Sequence, residues 1–116
     1  MVKHKIFKVL VVDDEKELRD SLKSTLTALG ITEILEAANG PTAVEIVNKT
    51  QIQMVILDVQ MPAMSGLDVL KVIREKDPSI IVLIITAHGK LQDAVEAIKC
   101  GAFNYVEKPI REHDIR

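Results

Sequence analysis

Carboxylates follow two of the most hydrophobic segments of this chain, at the points where those segments end. Asp13 and Asp14 come directly after one apolar run, and Asp58 comes directly after the run 54–57. An ionised carboxylate at the end of a buried segment is costly unless a cation or hydrogen-bond donors compensate its charge. These positions therefore indicate a site with a chemical reason to hold negative charge.

Two further polar residues, Thr86 and Lys108, follow the apolar runs that end at residues 85 and 106. The three aspartates and the lysine together leave an excess of negative charge, which suits a hard cation such as Mg²⁺ or Mn²⁺. No cluster of Cys and His residues occurs in the sequence, so zinc is disfavoured. A Mg²⁺ ion held by carboxylates and waters typically handles phosphate, and Thr86 and Lys108 could bind phosphoryl oxygens.

The elements that must position these residues are five apolar runs of strand length, which span residues 6–12, 33–37, 54–57, 80–85 and 104–106. The first, third and fourth runs are nearly continuous Val, Ile and Leu, which is typical of parallel strands that are covered on both faces. Helical patterns alternate with them. This alternation predicts an α/β fold with a parallel sheet and, through right-handed crossovers, helices on both faces.

The predicted helices carry recognisable end signals. A leucine stripe over 18–29 ends at Gly30, and Pro41 suits the first turn of a second helix. Ser65, three residues before Asp68, resembles the capping box of a third helix, which should end near residues 77–78. A fourth stripe covers 91–98. If the first and third strands are neighbours, the three aspartates meet at the carboxyl edge of the sheet, where doubly wound folds bind ligands.

Length and composition bound the function. We expect one domain over residues 1–116, and a net charge of -2 with a pI near 5.9 disfavours direct binding of nucleic acid. No apolar run approaches the roughly 18 residues of a membrane span, and the N-terminus lacks the pattern of a signal peptide. A single cysteine, Cys100, excludes an intrachain disulfide and fits a cytoplasmic protein.

The residues Asp13-Asp14, Asp58, Thr86-Ala87 and Lys108-Pro109 together resemble the receiver domain of two-component response regulators, over residues 9–109. The resemblance implies a flavodoxin-like (CheY-like) doubly wound five-stranded parallel sheet in the order 2-1-3-4-5. The stretch ITAHGKLQDAVEAIKCGAFNYVEKP is most similar to receivers of bacterial transcriptional activators. Because only residues 111–116 are left for the last helix, we expect it to be short or truncated, with the chain forming the N-terminal part of a longer regulator.

The resemblance also implies a mechanism. Asp58 would accept a phosphoryl group from the phosphohistidine of a histidine kinase or phosphotransfer protein, with Lys108 and Thr86 assisting. Mg²⁺ would be bound by Asp13, Asp14, Asp58 and the backbone carbonyl of Gln60.

Further roles follow from the same resemblance. Thr86 and Tyr105 would switch the signalling surface, and Gln60 and His88 would tune dephosphorylation. The domain would be a signalling phosphoacceptor rather than an enzyme, and phosphorylation could drive homodimerisation. An attached output domain would control transcription, and no contact of this domain with a membrane is expected.

Three other functions stay open at this point. A phosphatase of the haloacid dehalogenase type would carry Asp-x-Asp after the first strand, whereas here the two aspartates are adjacent and Asp58 stands alone on the third. A flavodoxin-like cofactor binder would need a phosphate loop rich in Gly, Ser or Thr after the first strand, where this chain has Asp-Asp-Glu. A pseudo-receiver that only binds partners would not need all of these side chains.

Overall fold

The computed structural model describes residues 7–58, 64–86 and 104–107, with only the backbone described at residues 86 and 104–107. Strands and helices alternate in it: β1 (Lys8–Val12), α1 (Lys16–Ala28), β2 (Glu33–Ala37), α2 (Gly40–Lys49), β3 (Met54–Asp58), α3 (Gly66–Lys76), β4 (Ile81–Thr86) and β5 (Asn104–Glu107). The predicted fourth helix over 91–98 and the short or truncated last helix lie outside the described residues.

The strands form one parallel sheet in the order β2-β1-β3-β4-β5, as predicted. β1 therefore lies between β2 and β3, and Val12 is in register with Ala37 on one side and Leu57 on the other. Asp58, at the end of β3, is in register with Ile85 of β4. This order is the one that brings the ends of β1 and β3 together at the carboxyl edge.

Helices cover both faces of the sheet, which makes the fold an α/β, flavodoxin-like, doubly wound one. On one face the side chains of α1, among them Leu22 and Leu26, pack with the odd-numbered residues of β1 and β4. On the other face α2 and α3 pack with the even-numbered residues of the same strands. Because the side chains of a strand alternate, strands buried on both faces must be apolar throughout. The nearly continuous Val, Ile and Leu runs have this explanation.

The ends of the helices follow the predicted signals. Gly30, directly after α1, has a φ of 94°, a conformation that glycine adopts without steric cost. Asn39 caps α2 by accepting a hydrogen bond from the Thr42 amide at 2.8 Å, and Ser65 caps α3 by accepting one from the Asp68 amide at 3.3 Å. α3 ends at Lys76, just before the predicted stop.

Four predicted strand boundaries were wrong by one residue: the end of β3, both ends of β4 and the end of β5. Asp58 is the last residue of β3 rather than the residue after it, so its backbone belongs to the ladder. β4 begins at Ile81 rather than Ile80, because the Ile80 amide donates to the Asp77 carbonyl at 3.3 Å and so completes a turn. Among the described residues, every helix is too short or too polar to cross a membrane.

Candidate functional site

The carboxyl edge of the sheet carries an acidic pocket, which we define as Asp13, Asp14 and Asp58. One carboxylate oxygen from each of the three lies within 4.8 Å of the others. Asp13 follows β1 directly and Asp58 ends β3, so the pairing of these two strands places them side by side. Asp13 is fully buried and Asp58 is 3% exposed, whereas Asp14 is exposed. The predicted meeting of the three aspartates is thus observed.

Asp13 is held by hydrogen bonds from both sides of its backbone. Its amide donates to the Ala37 carbonyl of β2 at 3.1 Å, and its carbonyl accepts from Nη1 of Arg19 at 2.8 Å. Its Oδ1 accepts from the Glu15 amide at 2.8 Å, two residues further on. The Asp13 carboxylate therefore holds the turn that leads into α1. Glu15 occupies the N-cap position but makes no capping hydrogen bond with its side chain.

The electrostatics of the acidic pocket favour a bound cation. At the separation of at most 4.8 Å, two unit charges repel each other by on the order of 3 kcal/mol at an effective dielectric constant of about 20. Three carboxylate oxygens that converge from two strand ends are a donor set suited to Mg²⁺ or Mn²⁺. The donors present therefore fit a divalent metal, and Asp13, Asp14 and Asp58 are the described residues that could bind it.

A cluster of ion pairs behind the acidic pocket was not foreseen from the sequence. Nε of Arg19 on α1 binds Oε1 of Glu36 on β2 at 3.0 Å, and Nζ of Lys23 binds Oε2 of the same carboxylate at 2.8 Å. The hydrogen bonds from Lys23 and then from Arg19 lower the pKa of Glu36. The signal in the sequence was the pair of cations one turn apart on α1, at the spacing i, i+4.

Close packing links the loops beside the pocket. A Cβ added at Gly40, the first residue of α2, would lie 2.8 Å from Cβ of Met64, which precedes the cap of α3. This distance is shorter than any normal contact between carbon atoms. The Met64 side chain also packs against the core on the α2 and α3 face. Glycine at position 40 is what allows this approach.

The remaining predicted site residues lie on other strands or outside the described residues. Thr86 is the last residue of β4 and follows Ile85, which is in register with Asp58. Tyr105 of β5 is in register with Ile84 of β4. Gln60, His88 and Lys108 are outside the residues that the structure describes, as are the side chains of Thr86 and Tyr105.

With this geometry established, similarity to known proteins decides the family. Residues 9–116 match the family model described as the response regulator receiver domain. The chain belongs to this family. The receiver-domain fold inferred from the sequence motifs and the sheet order observed in the structure agree with this assignment.

Two of its curated relatives are several times longer than the region that this chain matches. It is 40% identical over 103 residues to a putative response regulator, NtrX-like, of Rickettsia typhi, and 40% identical over 104 residues to the regulatory protein AtoC of Escherichia coli K12. These matches cover 87% and 90% of this chain but only 22% of each relative. A crystal structure of a response regulator receiver domain protein from Clostridium thermocellum aligns with a TM-score of 0.87 and 37% identity, and covers 94% of this chain and 87% of that one.

Proposed function

We propose that this receiver domain is the phosphoacceptor switch of a response regulator and that Asp58 is the residue that becomes phosphorylated. The observation that carries the proposal is the burial of Asp58, at 3% exposure, within 4.8 Å of the carboxylate oxygens of Asp13 and Asp14. A buried carboxylate at the end of a central strand, opposite two others, is hard to explain as a stabilising feature because like charges oppose its ionisation.

The residues of the acidic pocket would bind the metal ion and accept the phosphoryl group. Asp13, Asp14 and Asp58 would hold Mg²⁺, with the backbone carbonyl of Gln60 as a further ligand. When bound, the ion would supply the positive charge that a phosphoryl dianion needs in order to approach three carboxylates. An oxygen of Asp58 then attacks phosphorus, the bond between phosphorus and the partner's histidine nitrogen breaks, and that nitrogen keeps the electron pair. Positioning and charge neutralisation therefore account for most of the catalysis.

The family's other roles would fall to further residues of this chain. Thr86 stands at the end of the strand next to β3 and would contact the phosphoryl group together with Lys108. Tyr105, on the strand beyond, would move in concert with Thr86 and so change the signalling surface. Gln60 and His88 would govern how fast the acyl phosphate hydrolyses. The domain would thus act as a switch rather than as an enzyme.

Its partners follow from the same proposal. A cytoplasmic histidine kinase or phosphotransfer protein would supply the phosphoryl group, and phosphorylation could drive homodimerisation. The matched regions cover only 22% of the NtrX-like relative and of AtoC, which supports residues 1–116 as the N-terminal receiver of a longer regulator that controls transcription. The domain itself would contact neither nucleic acid nor a membrane.

The deciding experiment is the intact mass of the chain after incubation with acetyl phosphate and Mg²⁺. Wild type should gain one phosphoryl group, and Asp58→Asn should gain none. Asp20→Asn is the matched control, because Asp20 is an exposed carboxylate on α1 that pairs with Lys16, and it should be labelled like wild type. Equal labelling of Asp58→Asn and wild type would place the acceptor at another residue.

The same preparation separates a switch from a phosphatase that uses an aspartyl-phosphate intermediate. A switch should show no sustained turnover of p-nitrophenyl phosphate. Turnover that depends on Mg²⁺ and is lost in Asp58→Asn would instead support the hydrolytic function.

A further inference from the structure

Arg19 joins three elements directly behind the acidic pocket. It belongs to α1, its Nη1 donates to the carbonyl oxygen of Asp13 at 2.8 Å, and its Nε donates to Glu36 of β2 at 3.0 Å. Its side chain is only 14% exposed. A guanidinium group donates in fixed directions, so these two bonds together define where the Asp13 carbonyl lies relative to β2.

The other bonds of the turn pass this constraint on to the carboxylate of Asp13. The Asp13 amide is tied to Ala37 of β2 at 3.1 Å, and Oδ1 of Asp13 is tied to the Glu15 amide at 2.8 Å. The Glu15 carbonyl in turn accepts a hydrogen bond from the Arg19 amide at 3.1 Å. The backbone and one carboxylate oxygen of Asp13 are thus fixed within a closed set of hydrogen bonds, in which Arg19 takes part twice.

We infer that Arg19 is a positioning residue of the acidic pocket: by binding the Asp13 carbonyl and Glu36 together, it aims the Asp13 carboxylate and so sets the affinity for Mg²⁺. The inference rests on the proposed function for the identity of the cation. Arg19 contacts neither the cation nor the phosphoryl group. It acts through the direction of one ligand, as residues that hold metal ligands in place generally do.

The direction in which Mg²⁺ affinity changes when Arg19 is replaced separates a positioning role from simple electrostatics. Arg19 is a cation close to a cation-binding pocket, so removing its charge should tighten Mg²⁺ binding if Coulomb interactions alone matter. If Arg19 orients Asp13, its removal should weaken binding despite the more negative surroundings. Loss of residues that orient metal ligands typically weakens metal binding by about 10- to 100-fold.

The experiment is calorimetric titration of the metal-free chain with Mg²⁺ in wild type and three variants. Arg19→Gln should bind about tenfold more weakly than wild type. Lys23→Gln is the matched control, because Lys23 binds the other oxygen of Glu36 at 2.8 Å; it should bind as tightly as wild type or slightly more tightly. Arg19→Lys keeps the charge but offers one ammonium group in place of two directed donors, so it should stay weakened.

The rate of labelling by acetyl phosphate at subsaturating Mg²⁺ should fall in Arg19→Gln and Arg19→Lys but not in Lys23→Gln. Saturating Mg²⁺ should restore most of the lost rate. Far-ultraviolet circular dichroism of each metal-free variant checks that the fold is kept. Should Arg19→Gln fail to fold, Arg19→Lys decides, since charge alone predicts binding equal to wild type there. Wild-type affinity in Arg19→Lys, or unchanged or tighter binding in Arg19→Gln, overturns the positioning role while the proposed function stands. A wild-type chain that binds no Mg²⁺ overturns both.

Discussion

Arginine anchors a loop at each edge of the sheet, but the two edges bury different groups. At the carboxyl edge, Arg19 donates to the Asp13 carbonyl, next to buried carboxylates. At the amino edge, Arg74 of α3 donates through Nη1 to the Pro78 carbonyl at 2.6 Å and through Nη2 to the Ile80 carbonyl, in the loop that leads into β4. Burial lowers the pKa of Arg74.

The two edges differ in how the charges of their polar groups are compensated. At the amino edge cationic donors meet neutral acceptors: Arg74 donates to two loop carbonyls, and Nζ of Lys76 at the end of α3 binds Oδ1 of Asn48 in α2 at 2.9 Å. At the carboxyl edge the three aspartates of the acidic pocket gather charges of one sign. Such an arrangement costs stability in the metal-free state, and a cation bound there would offset that cost.

The largest expected effect is metal-dependent stabilisation from the carboxyl edge. Mg²⁺ at about 100 times its Kd should raise the free energy of unfolding by about 2.7 kcal/mol, because it binds only the folded pocket. Asp13→Asn keeps an oxygen for the Glu15 amide but removes the charge, so this gain should disappear. Urea unfolding with Mg²⁺ and with KCl at matched ionic strength measures it. Full stabilisation in Asp13→Asn would remove Asp13 from the ligands.

The amino edge should contribute to stability without any dependence on Mg²⁺. Arg74→Ala should lower the free energy of unfolding by about 2 kcal/mol, because two loop carbonyls lose a charged donor. The increment from Mg²⁺ should stay as in wild type. Lys71→Ala, at an exposed position on the same helix, is the control and should change stability by less than about 0.5 kcal/mol. A reduced Mg²⁺ increment in Arg74→Ala would mean that the two edges are coupled.

A smaller effect should come from the packing between the loops of the carboxyl edge. Gly40→Ala puts a Cβ 2.8 Å from Cβ of Met64. The overpacking should cost about 1 kcal/mol after allowance for the better helix propensity of alanine. Adding Met64→Gly, which removes Cβ together with the rest of that side chain, should remove most of the cost of the Gly40 change. A double-mutant cycle from urea unfolding tests this, and additive effects of the two changes would argue against direct contact.

The smallest effect concerns pH and the ion pairs of Glu36. Its pKa is lowered in the folded chain from an ordinary value of 4.5, so its contribution is complete above that value and is lost as pH falls through the lower folded pKa. Wild type should be more stable than Glu36→Gln at neutral pH by less than about 1 kcal/mol, since the carboxylate is partly exposed. Urea unfolding over a pH series should show the difference shrinking in acid. A stability difference that grows below pH 4.5 would contradict a lowered pKa of Glu36 in the folded chain.

Much of the fold was predictable because it depends on patterns that are local in sequence. The Val, Ile and Leu runs at 54–57 and 80–85 gave β3 and β4 to within one residue, and Gly30 and Pro41 marked helix ends by their own backbone geometry. The meeting of Asp13 with Asp58 followed from the sheet order. It needed only the rule that parallel strands present their carboxyl ends at one edge.

What could not be predicted depends on side-chain direction across elements. Arg19 and Glu36 are 17 residues apart, and nothing in their spacing shows that one guanidinium reaches both Glu36 and the Asp13 carbonyl. The approach of Met64 to Gly40 is equally invisible, because it depends on the path of a loop. Such contacts are set by rotamers and by the packing of neighbouring elements rather than by periodicity.

The register between β3 and β4 has a consequence for how this chain can vary. Asp58 lies opposite Ile85, and Leu83 and Ile85 both face the α1 side. A slip of β4 by one residue would turn both leucine and isoleucine toward the opposite layer and move Thr86 along the ladder relative to Asp58. Insertions and deletions are therefore tolerable in the surface connections but not inside these two strands, because the packing of Leu83 and Ile85 keeps Asp58 and Thr86 aligned at the strand ends.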